Sequence, residues 1–139
     1  MEKLSELRYE TQNKGLIRCL FALLELNRGE SSEVRIDWPA VNIEHIQPQN
    51  PPNQDEIPVF EDYVHLLGNL TLITEKLNKK LGNKSPREKV KVLDTSKLQI
   101  TRDISSLIEE RGWSPSTIES RTTDINNELG EILLQPRKQ

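Results

Sequence analysis

Cysteine is almost absent from this chain: Cys19 is the only one in 139 residues. One thiol cannot close an internal disulfide, and with no Cys-x-x-Cys pair a structural zinc site is not expected. A reducing, cytoplasmic setting fits that usage. Cys19 lies in an apolar helical pattern and reads as an inert core residue. Aromatic residues are only 4% of the chain and hydrophobic residues 34%, so the core has to rest on Leu, Ile and Val. Long apolar runs are missing as well. The longest uncharged one is the six residues Cys19 to Leu24, against about 20 needed to cross a bilayer. No membrane association is expected, and the N-terminus lacks the apolar region of a secretory leader.

A basic excess is lacking too. The formal charge is −3, which argues against a free-standing, non-specific DNA binder. The charge is unevenly spread, however. Residues 1–64 carry a net −6, whereas residues 76–91 hold seven Lys/Arg against Glu88 alone. A local basic patch matters more than the total for gripping phosphates, although a solvated helix face is the plainer reading of such a run.

What is present is mostly helical patterning. The length is that of one domain. Residues 15–28 read as a buried helical lead-in, with Leu16, Ile17, Leu20, Phe21, Leu23, Leu24 and Leu26 covering most of its circumference. Gly29 ends it, Val34 to Ile36 reads as a short strand, and Trp38-Pro39 breaks any helix. Val41 to Ile46 alternates and is rich in β-branched residues, so it reads as a strand. Gln47 to Asp62 is polar, holds four prolines, and reads as a long loop. Asn69 to Ile73 gives a second strand after Gly68. Thr74 caps a helix through Leu81 that Gly82 closes. Ser85-Pro86-Arg87-Glu88 starts another helix to about Leu93, Thr101 a third, and Ser114-Pro115 a long last one. Residues 135–139 are expected to fray. The fold class is α+β, mostly helical around a small ββα element at about 40–82, with helices over 85–134.

Three segments carry chemistry: Ile43-Glu44-His45-Ile46-Gln47-Pro48, Leu67-Gly68-Asn69-Leu70-Thr71-Leu72 and Leu77-Asn78-Lys79-Lys80. An acidic residue before a histidine, then Asn-Leu, then a further Asn is the order of the HNH motif, which its family places on a ββα-metal element. The fuller pattern is Glu-His-Ile-x-Pro-Gln, a loop, His-x-Leu-Gly-Asn-Leu-Thr-Leu and an Asn. It resembles the C-terminal HNH domain of GmrSD-type restriction endonucleases. Asn83 to Lys89 is similar to the family's post-site segment, and Trp113, Ile118 and Arg121 to its closing signature. The resemblance covers roughly residues 15–135.

That resemblance implies a metal-dependent DNA endonuclease in a restriction and antiphage defence protein, with the domain a fragment following an NTP-using sensor domain. It implies that His45 deprotonates the attacking water, a task suited to a neutral imidazole, and that Asn69 orients that imidazole. Glu44 and Asn78 would bind one divalent ion, Mg²⁺ or Mn²⁺, which takes oxygen ligands. Lys79, Lys80 and Lys84 would hold flanking phosphates, and His65 touches substrate or packs. A single metal site cuts one strand at a time, so cutting both needs a homodimer or two events.

The sequence departs from the wider HNH pattern in two places. Glu44 stands where Asp is usual, and Asn78 where His is common. For Glu44 and His45 to share one site, the strand must end or bulge there. Plainer readings stand beside these. A lone histidine after a glutamate is more often structural, Asn69 after Gly68 is compatible with a turn, Asn78 with a solvated helix face, and Trp113 and Arg121 with a purely structural role. Two rivals remain: a non-catalytic nucleic-acid-binding module on the same fold, and a helical protein-interaction domain in which the motifs are coincidental.

Overall fold

A computed structural model describes residues 7–28 and 41–134. The expected helix stop at Gly29, the strand at Val34 to Ile36, the break at Trp38-Pro39 and the fraying end all lie outside the described residues. The elements are α1 (Lys14–Arg28), β1 (Val41–His45), α2 (Glu56–Phe60), β2 (Leu70–Thr74), α3 (Glu75–Leu81), α4 (Pro86–Leu93), α5 (Gln99–Arg111) and α6 (Pro115–Leu134). Short 3₁₀ turns at Thr11–Asn13 and Leu67–Asn69 lead into α1 and β2. This is the expected mostly helical α+β domain. None of the helices is long and apolar enough to cross a membrane.

The two strands pair antiparallel, from Val41 opposite Thr74 to His45 opposite Leu70. Alternation along them gives each face its own apolar cluster. On one face Val41, Leu70 and Leu72 pack with Ile17, Phe21 and Leu24 of α1 and with Ile125 and Leu129 of α6. On the other, Ile73 and the following Ile46 pack with Leu81 of α3, Leu93 of α4, and Ile104 and Ile108 of α5. The short ladder is therefore covered on both sides, which a two-stranded sheet needs for stability in water.

Local signals start and stop most helices. Thr74 accepts from Leu77 N (3.5 Å), and Ser85 accepts from Glu88 N (3.4 Å) ahead of Pro86. Gly82 and Gly112 end α3 and α5 with φ of 51° and 72°, a region that costs a side chain energy. Helix α5 differs from expectation, beginning at Gln99 rather than Thr101. Its first turn is capped from another helix: the buried carboxylate of Glu25 accepts from Gln99 N (3.0 Å) and Ile100 N (2.9 Å). A carboxylate there also meets the positive end of the helix dipole. Two further expectations change. The stretch 47–62 contains the short helix α2. And α1 buries one stripe only, leaving Leu16 50% and Leu26 71% exposed and Cys19 on the surface rather than in the core.

The approach to β2 is held from behind by α6. Arg121 Nη1 donates to the carbonyls of Gly68 and Leu70 (2.8 Å each), and Gly68 N donates to Thr122 Oγ1 (2.9 Å). There is no room for a side chain at Gly68: a Cβ would collide with the backbone oxygen of Ile118 and with Thr122. Gly68→Ala is therefore expected to destabilise the domain by about 1–3 kcal/mol, as forced overpacking does, read as a lower urea midpoint. A midpoint equal to wild type would mean that α6 is free to move away.

Candidate active site

His45 is the last residue of β1 and is only 6% exposed. Its ring is held on three sides. Nε2 lies 3.2 Å from His65 Nδ1, and Nδ1 lies 3.4 Å from Gln49 Nε2. Tyr9 meets the imidazole edge-on at 4.5 Å between ring centroids and stacks on His65 at 5.7 Å. Tyr9 is fixed in turn by its own N–H, which donates to His65 O at 2.8 Å. Burial lowers the His45 pKa from 6.5 to about 3, with the positive charges available at His65 and Lys89 adding to the effect. The imidazole is thus neutral at neutral pH, and the burial that disfavours its protonated form also makes it a weaker base than a free histidine.

Asn69 does not bond the imidazole. Its side chain is fully occupied elsewhere. Oδ1 accepts from Gln47 N (2.8 Å) and from Trp113 Nε1 (2.9 Å), while Nδ2 donates to the carbonyls of Gln47 (3.1 Å) and Val64 (2.8 Å). An amide has two donor and two acceptor places, and all four are used. Asn69, expected to orient the His45 imidazole, makes no hydrogen bond to the ring itself: it fixes the backbone two residues beyond His45, tying it to the segment that ends in His65.

The ladder keeps its register through His45 and ends there. Lys89 Nζ shows the turn that follows. It donates to both His45 O (2.7 Å) and Ile46 O (3.0 Å), although successive carbonyls of an extended strand point to opposite edges. The same ammonium lies 3.4 Å from Glu44 Oε1. Lys89 is wholly buried and Glu44 is 7% exposed. Burial pushes the Glu44 carboxyl up and the Lys89 ammonium down, each opposed by the charge of the other. Glu44 Oε2 is buried with no hydrogen-bond partner.

Asn78 is exposed on α3, and its amide has no hydrogen-bond partner among the described residues. It lines a cleft with Asn42, Ile43, Tyr9, Lys14 and Arg18. Asn42 and Glu44 share a face of β1 by alternation, and α3 packs over that face through Leu77 and Leu81. His65 is half-buried against His45. Lys79, Lys80 and Lys84 are exposed. Lys79 makes a 3.8 Å pair with Glu75 at 77% and 72% exposure, a contact of little energetic weight. The basic run therefore divides: Lys89 is a buried structural cation, and the others form the solvated face.

A model of the C-terminal domain of GmrSD restriction endonucleases matches residues 1–127. The chain belongs to the GmrSD C-terminal domain family. Among curated proteins, none matches it. In this GmrSD-type domain the closing signature has a structural use, since Trp113 and Arg121 bond Asn69 and the carbonyls of Gly68 and Leu70. Tyr9, Gln49 and Lys89 were not expected at the site. Gln49 ends the Glu-His-Ile-x-Pro-Gln segment and could have been found there. Lys89 falls on the Pro86, Lys89, Leu93 stripe, where a charge in an apolar position is the signal. Nothing in the local sequence marks Tyr9.

Two measurements test this geometry. Lys89→Met strands the Glu44 carboxylate and two carbonyls, so it is expected to cost about 3–5 kcal/mol in urea unfolding; a change below about 1 kcal/mol would show the pair to be dispensable. The second concerns pH. Unfolded His45 takes a proton below 6.5 while the folded ring resists it to about 3. Its contribution is therefore complete above pH 6.5 and declines through that window as pH falls. In EDTA, wild type should lose about 3 kcal/mol more than His45→Gln between pH 7 and pH 4. Equal losses would sink this assignment.

Proposed function

We propose that this domain is a metal-dependent DNA endonuclease of the HNH type, the nuclease part of a restriction and antiphage defence protein. The observation that carries the reading is the neutral, buried His45 at the end of the first strand of a strand–strand–helix unit. The residue before it, Glu44, faces the other side of the strand and has one unclaimed carboxylate oxygen. Membership of a restriction endonuclease domain family supports the same reading. DNA is the proposed substrate, and recognition would come from an NTP-using sensor domain elsewhere in the full protein.

The donor set can be tested against Mg²⁺ or Mn²⁺. Among the described residues no three His, Cys, Asp or Glu side chains converge as a metal cluster. Mg²⁺, however, is commonly held by one or two carboxylates with waters and substrate phosphate completing its shell. Glu44 Oε2 is buried without a partner, and the exposed Asn78 amide lines a cleft that Glu44 does not; joint binding of an ion by these two needs the Glu44 carboxylate to turn out from Lys89. Lys89 offsets part of the carboxylate charge, so binding is expected to be weak until a phosphate joins the site. When bound, the ion supplies charge neutralisation at the phosphate and at the leaving oxygen.

The chain's own groups do the rest. His45 accepts the proton of the attacking water, and His65 and Gln49 hold its ring at the two nitrogens. One of these contacts has to open for the base to meet water, since both nitrogens are engaged. Asn69 keeps the strand end and the His65 segment at a fixed separation, and Tyr9 excludes bulk solvent from the imidazole. The binding-module reading draws on one observation as well, the closed hydrogen bonding around His45.

Supercoiled-plasmid nicking separates the two. The wild-type chain should nick with Mg²⁺ or Mn²⁺ and not in EDTA, and His45→Ala should be slower by about 10²–10⁴-fold, the range for a general base. Equal activity of wild type and His45→Ala would refute the role of His45, and a folded, metal-loaded wild type that never nicks would favour the binding module.

A further inference from the structure

The acidic half of the chain holds two cations in one place. Lys14 and Arg18 stand one turn apart on α1, a spacing that puts both heads on one helix face. They line the cleft of about 390 Å³ with Tyr9, Asn42, Ile43 and Asn78, and among the described residues no carboxylate shares that lining. Neither cation has a carboxylate partner among the described residues, whereas Arg28, ten residues on from Arg18, is paired with Asp103 and Glu128. Like charges at this spacing repel, so a folded chain that leaves them uncompensated gains when an anion enters. The amides of Asn42 and Asn78 also make no hydrogen bond among the described residues and offer neutral N–H donors to the same space.

The cleft opens on the edge of β1 that has no partner strand among the described residues, because Asn42 and Ile43 are neighbours with opposite facing and both line it. Tyr9 is its bridge to the base. The ring carries Lys14 Nζ at 5.5 Å from its centroid and touches the His45 imidazole at 4.5 Å. An anion in the cleft therefore lies one aromatic ring away from His45.

We propose that this cleft is a seat for a backbone phosphate of the DNA strand, gripped by Lys14 and Arg18 and assisted by the Asn42 amide. It rests on the nuclease reading for the identity of its ligand. The seat accounts for how a chain of net charge −3 holds a polyanion beside its base. It also moves the main phosphate grip from the solvated lysines of α3 to the first helix.

The test is binding of a short fluorescent DNA duplex to the purified chain in EDTA, measured by anisotropy across a salt series. The expected result for Lys14→Gln/Arg18→Gln is a log–log salt slope shallower by about 1.8, with affinity at roughly 50 mM salt lower by about tenfold per charge removed. Lys14→Arg/Arg18→Lys, which keeps both charges, should retain the wild-type slope, as should Lys97→Gln, an exposed change outside the cleft. If the Gln pair fails to fold, Arg18→Gln alone should lower the slope by about 0.9. An unchanged slope in the folded Gln variants overturns the seat, and so does a wild-type chain with no salt-dependent binding. Nicking assays keep the two readings apart. A chain that nicks but shows no dependence on Lys14 and Arg18 loses the seat and keeps the nuclease. One that binds through them yet never nicks loses the nuclease and keeps the seat.

Discussion

Asn69 is the point at which the pieces around His45 are tied together. It bonds the backbone of Gln47 through both N–H and carbonyl, reaches Val64 on the far side, and receives the indole N–H of Trp113. The strand carrying His45, the segment carrying His65 and the turn between α5 and α6 are thereby referred to one side chain. A buried amide with every place used is rigid because any displacement leaves a polar group unpaired, at about 1–3 kcal/mol each. Gly68 and Arg121 extend the same arrangement by one residue on each side. The absent Cβ at Gly68 lets α6 approach, and the guanidinium then takes the two carbonyls flanking Asn69.

Electrostatics imposes the second constraint. Lys89, Glu44 and Arg121 are all buried, and burial alone pushes each of them toward neutrality; for Arg121 it brings the pKa down to about 9, still charged at neutral pH. Such groups are weak sources of net stability and strong sources of position, because leaving either half of the arrangement unpaired is costly. Lys89 uses its ammonium to define where β1 stops being a strand. That turn decides how Glu44 and His45, neighbours that alternation sends to opposite faces, stand relative to one region of the surface.

The fold class, the strand–strand–helix order and most helix limits were legible because they depend on signals a few residues wide: Thr74, Ser85-Pro86, Gly82, Gly112. The start of α5 was not, since its cap is Glu25, some seventy positions away in the chain. The site followed the same division. His45, Asn69 and Asn78 stand out in the sequence as residues, but the partners of Asn69 do not. An amide's partners are set by tertiary approach, here of Trp113 across 44 positions. Lys89 was grouped with its basic neighbours because sequence counts a charge without knowing which way it faces. Cys19, Leu16 and Leu26 were placed inside because an apolar helix with polar gaps was read as buried all round, when only one stripe of it is.

Net charge says little about a local phosphate grip, for a physical reason. Exposed charges further apart than the Debye length, about 8 Å at physiological salt, hardly sense one another. Carboxylates that lie beyond that distance do little to cancel two cations that share one cleft. What matters for a phosphate is which groups line the space it enters, and there the described residues place two positive charges and no carboxylate. Weak long-range attraction and a local pair of cations are compatible within one chain.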